Sequence, residues 1–158
     1  MATFNVYTDL IEALGEALLS DPKFEGIAIF YDRTSERQPS RDDMPAINYF
    51  LEAPAEDVGR GSGQYSLQVR HISILLGFGV WISGGDPGKL DQGLWEITGN
   101  LLDWFRDHID FNRTLGIGVD PDVPIRIDFD YSGDTTNVVG SHRLVVGFRL
   151  FGGSGPKG

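Results

Sequence analysis

The stretch from Gln64 to Ile109 constrains the fold more than any other. It runs QYSLQVRHISILLGFGVWI, then SGGDPG, then KLDQGLWEITGNLLDWFRDHI. The first part predicts one long strand rich in β-branched and aromatic residues. The last part predicts a helix whose apolar positions recur at three and four residues. A strand of that length followed at once by such a helix implies a sheet with a helix laid across one face. Within the strand, Ile72, Ile74, Leu76, Phe78, Val80 and Ile82 share one side, whereas Tyr65, Leu67 and Val69 have the opposite parity. A period of two cannot seat both sets on one face. Either a β-bulge near Arg70–His71 restores the phase, or the first half projects beyond the core. Gly77 and Gly79 fall opposite the apolar side, where they let another backbone or a bulky side chain approach closely.

The helix that follows has Asp86 as its N-cap and Pro87 at its first position. Leu90, Leu94, Ile97, Leu101 and Trp104 form its stripe, widened by Trp95, Leu102, Phe105 and Ile109. So broad an apolar surface must be covered on more than one side, by the sheet and another helix or by a second subunit. Upstream, Phe4, Tyr7, Leu10 or Ile11, Leu14, Ala17 and Leu18 predict a helix that starts near Thr3 or Thr8 and ends at Asp21-Pro22. The strands GIAIFYDR and PAINYFLE follow, the second with Ile47, Tyr49 and Leu51 on one face. A polar connection at 32–44 separates them, and a Gly-rich one at 53–63 leads on. These two strands and the long one are expected to pair as an antiparallel meander. Beyond the linker DFNRTLGIGVDPD lies the strand VPIRIDFDY. Its Ile125, Ile127, Phe129 and Tyr131 are expected to face the core, and Arg126, Asp128 and Asp130 solvent or a partner. SGDTTNVVGS reads as a long turn before a last strand, HRLVVGFRLF. The expectation is one α+β domain over 1–151, in the order α-β-β-β-α-β-β. It comprises a mainly antiparallel sheet of about five strands with two helices on one face, and residues 152–158 form a flexible tail.

Charge and motifs exclude more than they nominate. The 158 residues carry a net charge of −10, which opposes any role that depends on gripping phosphates. The acids concentrate in residues 1–25, 86–110 and 120–134. There are no cysteines, so disulfides and thiolate metal sites are excluded. No apolar run reaches the ~18 residues a membrane span needs, and the N-terminus lacks the basic leader of a signal peptide. GGDPGK sits between strand and helix as a phosphate loop would, but Ser83 and Leu90 stand where that motif needs Gly and Ser or Thr. GRGSG at 59–63 leads into a strand instead of opening a helix, so it is no dinucleotide fingerprint. DFDYSGD at 128–134 matches the start of a calcium loop, but Val139 stands at the twelfth position, where a bidentate Glu is required. His71, His108 and His142 have no ligand-pair spacing, and no Ser lies in G-x-S-x-G. The sequence therefore predicts no catalytic residues, no metal and no cofactor.

The element order, together with particular segments, resembles the tail terminator (tail completion) proteins of long-tailed bacteriophages. The segments are the short first helix ending at Asp21-Pro22, the Pro-opened strand PAINYFLE after a loose loop, and RHISILLGFGVWI leading into the long amphipathic helix. The closing pair VPIRIDFDYS and RLVVGFRLF completes the likeness, which covers most of residues 3–151. The resemblance implies a homohexameric ring in the virion neck, assembled in the host cytoplasm. Such a ring caps the tail tube, ends its polymerisation and meets the head connector while DNA passes through the bore without specific binding. Head-to-tail closure needs two different patches on each subunit. Candidates are Arg33, Arg37 and Arg41 in the polar loop, Arg60 in the Gly-rich loop, and Tyr65, Leu67 and Val69 in the out-of-phase half strand. Asp128 and Asp130, or the acids of the second helix, are candidates for lining the bore. Other readings stay open: another head–tail joining protein of the same architecture, a non-phage oligomeric adaptor, or a small α+β enzyme or ligand-binding domain with a deep polar pocket.

Overall fold

Leu10, Leu14 and Leu18 lie four residues apart, which draws one stripe along the first helix, α1 (Val6–Ser20), and all three side chains are fully buried. The computed structural model describes residues 6–31, 39–53, 72–109, 117–134 and 137–150. After α1, Asp21 caps a single 3-10 turn, Pro22–Phe24, by accepting from the Lys23 N–H at 3.0 Å. The same chemistry starts the second helix, α2 (Pro87–Asp107). The Asp86 carboxylate accepts from the N–H groups of Gly88 and Lys89 at 3.0 and 3.4 Å, and Pro87 occupies the first position, as the sequence predicts. The predicted stripe of α2 is buried from Leu90 to Trp104. Phe105 joins it, whereas Trp95 and Ile109 remain exposed.

Among the described residues six strands form one sheet: β1 (Ala28–Tyr31), β2 (Ala46–Ala53), β3 (Ile72–Gly84), β4 (Ile117–Val119), β5 (Arg126–Asp134) and β6 (Asn137–Leu150). The spatial order is β1-β2-β3-β6. Beyond β6, its outer side is shared by β4, opposite Phe148–Leu150, and β5, opposite Asn137–Val145. The three-residue β4 falls in a segment the sequence reads as linker, so the sheet has one strand more than expected.

The meander expectation fails at its first pair. β1 runs parallel to β2, with Ala28 beside Ala46 and Tyr31 beside Tyr49. A parallel pair needs a crossover of a dozen or more residues, and the connection 32–45 is long enough to supply it. The remaining pairs are antiparallel. The last hairpin is also tighter than expected. β5 continues to Asp134, which pairs with Asn137, so Asn137–Ser141 belong to a strand and not to a turn. Gly133, at φ +108°, bends the end of β5 through a conformation that side-chain-bearing residues rarely adopt.

Both helices pack on one face, as expected. Ile74, Leu76, Phe78 and Val80 of β3 meet them there, beside Ile47 and Tyr49 of β2 and Leu144, Val146 and Phe148 of β6. Phe78 is central: its ring centroid lies 4.9 Å from Phe105, 6.2 Å from Tyr49 and 6.4 Å from Phe148. The Tyr49 hydroxyl donates to the Ile11 carbonyl at 3.0 Å, which ties α1 to the sheet. The far face uses the two predicted glycines. The Phe50 ring lies against Gly77, and the Asn48 and Trp81 side chains lie against Gly79. The expected phase break at Arg70–His71 lies outside the described residues. The described irregularity at that end of the sheet is a register shift in β2 between Leu51 and Ala53.

Candidate interaction surface on the outer strand

A sheet edge normally buries one face against a layer, and β5 buries neither. Ile127 is half-buried, and every other residue from Arg126 to Gly133 is exposed. Phe129 is 55% exposed and Tyr131 46%, so the expectation that they face the core is corrected. Their alternation is as predicted, because they do point toward the helix layer. What is missing is cover. Leu90 and Leu94 of α2 pack on Gly140 of β6, where an added Cβ would come within 2.8 Å of Leu94. Lying over β3 and β6, the helix has only its flank, Asp91 and Trp95, to reach β5.

That flank and β5 make an aromatic patch. Trp95, itself 43% exposed, contacts Phe129 with ring centroids 5.4 Å apart. The Tyr131 hydroxyl donates to the Asp91 carboxylate, and this bond, more than burial or the charge itself, holds the phenol above its usual pKa. Beneath the patch lies His142, fully buried and edge-on to Trp95 and Phe129 at 4.7 and 5.0 Å. Its Nδ1 is 2.7 Å from the hydroxyl of Thr98, another fully buried residue, and its Nε2 has no hydrogen-bond partner. Burial lowers the pKa of this imidazole and outweighs the opposing pull of Asp91, so the ring is neutral near pH 7. The sequence places His142 at a strand start; in the structure it lies well inside β6.

The other face of β5 is polar. Asp128 stands across from Arg143 and Asp130 across from Ser141. With Phe50, Gly79 and Trp81 these residues line a cleft of about 250 Å³. One wall is an ion pair between Arg143 and Glu52, with the guanidinium 5.8 Å from the Phe50 ring centre. At the floor, the Trp81 indole N–H donates to Asn48 Oδ1 at 2.8 Å, and the buried Asn48 Nδ2 has no partner. Asp128, Asp130 and Ser132 share one side of an extended strand, spaced about 7 Å apart. They do not wrap around a point as calcium ligands do. Among the described residues no three His, Cys, Asp or Glu side chains gather as a metal site would require.

Of the interface residues nominated from sequence, Arg33, Arg37, Arg60, Tyr65, Leu67 and Val69 lie outside the described residues. Arg41 opens a 3-10 turn, Arg41–Asp43, that Ser40 caps just before β2. The structure does not bring Arg41 to Asp128 and Asp130, because β3 and β6 separate β2 from β5. Sequence reasoning missed Asp91 and Trp95 on one face of β5, and Trp81, Glu52 and Arg143 on the other. The available hint was the alternation in DFDY, which places acids and aromatics on opposite sides of one strand. No helix among the described residues is long and apolar enough to cross a membrane. No protein-family model matches this chain, and no curated protein sequence matches it.

Proposed function

We propose that this protein is a ring-forming virion assembly protein of the tail-terminator kind. It would cap the tail tube, end its polymerisation and join it to the head connector. The observation that carries the reading is the exposed outer strand β5, with large aromatic side chains on one face and acids on the other. Such a patch on an otherwise packed α+β domain marks a surface that a protein partner covers. The segment resemblance supplies the context, and the α+β fold agrees with it. This surface suits a small molecule less well than a protein, because the cleft beside β5 holds about 250 Å³, below the ~300–1,000 Å³ of typical ligand sites. Asp128 and Asp130 keep their candidacy as acids that repel DNA from a bore.

The test is sizing of the purified chain across concentration, followed by imaging of tail tubes mixed with it. A hexamer that decorates tube ends is expected. A chain that stays monomeric at high concentration and never binds tube ends would refute the proposal. The polar loop has its own test: replacing Arg33, Arg37 and Arg41 together with Glu should abolish assembly while leaving the subunit folded. Unchanged rings would remove that loop from the interface.

A further inference from the structure

We infer that the cleft on the polar face of β5 is a socket for an arginine side chain carried by a protein partner. The inference rests on the reading of β5 as a surface that a protein covers, and it names the chemical group that surface takes. Register places the parts of the cleft. Trp81 of β3, Ser141 of β6 and Asp130 of β5 form one row across the sheet, and Gly79, Arg143 and Asp128 form the next. Adjacent strands lie about 4.8 Å apart, so Trp81 and Asp130 stand about 10 Å apart with the short side chain of Ser141 between them. The indole wall is held in place. Trp81 donates its N–H to Asn48 Oδ1 at 2.8 Å, across Gly79, where an added Cβ would collide with both side chains. Asn48 is 1% exposed and its Nδ2 has no partner, an unsatisfied donor that a peptide carbonyl can accept from.

The charges beside that wall call for a cation. Arg143 stands directly across from Asp128, yet its guanidinium turns the other way, 5.8 Å from the Phe50 ring centre and onto both oxygens of Glu52. Asp128 and Asp130 are exposed, and neither has a hydrogen-bond or ion-pair partner among the described residues. Arg126, across from Val145, is the other charge on this side of β5. Arg126 and Arg143 against Glu52, Asp128 and Asp130 leave a net charge of −1, which one bound cation neutralises.

The shape of the site selects the kind of cation. A group seated over Ser141 meets an indole on one side and two carboxylates, about 7 Å apart along β5, on the other. A guanidinium is planar, stacks on aromatic faces and directs several N–H groups outward in a fixed fork, so it can serve both sides at once. A lysine ammonium is a compact, strongly hydrated point charge that gives up more water and gains less from the indole. A volume of about 250 Å³ admits one such side chain. An arginine within a chain also brings a backbone carbonyl. Carboxylates covered by a partner cannot also face a bore, so binding decides between the two roles open to Asp128 and Asp130.

The experiment is an NMR titration of the full isotope-labelled chain with four probes: a capped tripeptide with arginine between two alanines, the same peptide with lysine or with citrulline in its place, and spermidine. The arginine peptide should shift the Trp81 indole N–H signal and the amides of Asp128, Asp130 and Ser141 saturably, at millimolar concentrations. The lysine peptide should bind roughly 3-fold more weakly, and the uncharged citrulline peptide should leave these signals in place. Asp128→Asn combined with Asp130→Asn alters two exposed side chains, so it should keep the native circular dichroism while weakening the arginine peptide roughly 10-fold. An unmoved Trp81 signal, equal binding of the citrulline peptide, or equal binding by the double variant would overturn the socket. Spermidine binding more tightly than the arginine peptide would overturn its assignment to a protein side chain. A chain that stays monomeric at every concentration yet binds the arginine peptide as described would refute the ring and uphold the socket.

Discussion

The closest fit on the far face is the Phe50 ring against Gly77, and it yields a quantitative prediction. A Cβ added at Gly77 would penetrate the outer edge of that ring, at Cε2 and Cζ, and would lie 2.9 Å from a Glu52 carboxylate oxygen. Ordinary carbon contacts are about 3.5–4.0 Å. Phe50 is 1% exposed, so the ring cannot swing into solvent to make room. Overpacking of this kind costs about 1–3 kcal/mol. Replacing Gly with Ala also stiffens the unfolded chain, which returns about 0.4–1 kcal/mol. Gly77→Ala should therefore destabilise by about 1–2 kcal/mol, a loss of roughly 2–8 °C in Tm for a chain of this length. Phe50→Leu removes Cε2 and Cζ, the two ring atoms in the way. In that background Gly77→Ala should become neutral or stabilising, with a coupling of about 1–3 kcal/mol between the sites. Urea unfolding of the four proteins measures it. An equal cost for Gly77→Ala in both backgrounds would refute the packing argument.

Thr98→Val keeps the shape of a buried side chain but leaves the His142 imidazole without its partner, and should cost about 1–3 kcal/mol in urea unfolding. A cost below the error of the measurement would mean that the Thr98–His142 bond carries nothing. The same histidine predicts a pH dependence. Its folded pKa is lowered, so between that value and the unfolded value near 6.5 the unfolded state binds the extra proton. Its contribution to stability is full above about pH 6.5 and is lost as pH falls, at up to about 1.4 kcal/mol per pH unit. His142→Gln should flatten that part of the stability–pH curve; an unchanged slope would assign it to other groups. Asp86→Ala should cost about 0.5–2 kcal/mol through loss of the α2 cap, read as a lower Tm by circular dichroism, and an unchanged Tm would contradict that capping role.

Local chemistry was legible in the sequence wherever the determinant and its consequence lie within a few residues. Asp86-Pro87 announces the start of α2, Leu10, Leu14 and Leu18 announce a buried stripe, and Gly77 and Gly79 announce close approach. Direction was not legible. Nothing in the alternation of β1 and β2 distinguishes a parallel pair from a hairpin, since both place the same side chains on the same faces. Burial on β5 misled for a related reason. Periodicity states which side chains share a face, not what covers that face, and Phe129 and Tyr131 point the predicted way into an uncovered layer. The polar contacts of the surface were hidden by distance along the chain. Trp81 and Asn48 are 33 residues apart, and Thr98 and His142 are 44, so neither pair leaves a local signature.

The break between β4 and β5 has a consequence for length. Asp120 still donates its N–H to the Gly147 carbonyl at 2.9 Å. The chain then loops out, with the Asp122 N–H 3.0 Å from Asp120 Oδ1 and Val123 packed over Gly147, before it rejoins β6 at Arg126. Pro121 and Pro124 stand in that loop, and neither has an N–H to offer an incoming backbone. The usable rim is thus nine residues, about 30 Å, with a proline stop at one end and a hairpin at the other. A rim bounded at both ends acts as a ruler. Among the described residues it offers a template for a short strand only, and it denies longer β-ribbons the continuous template on which sheets polymerise into aggregates.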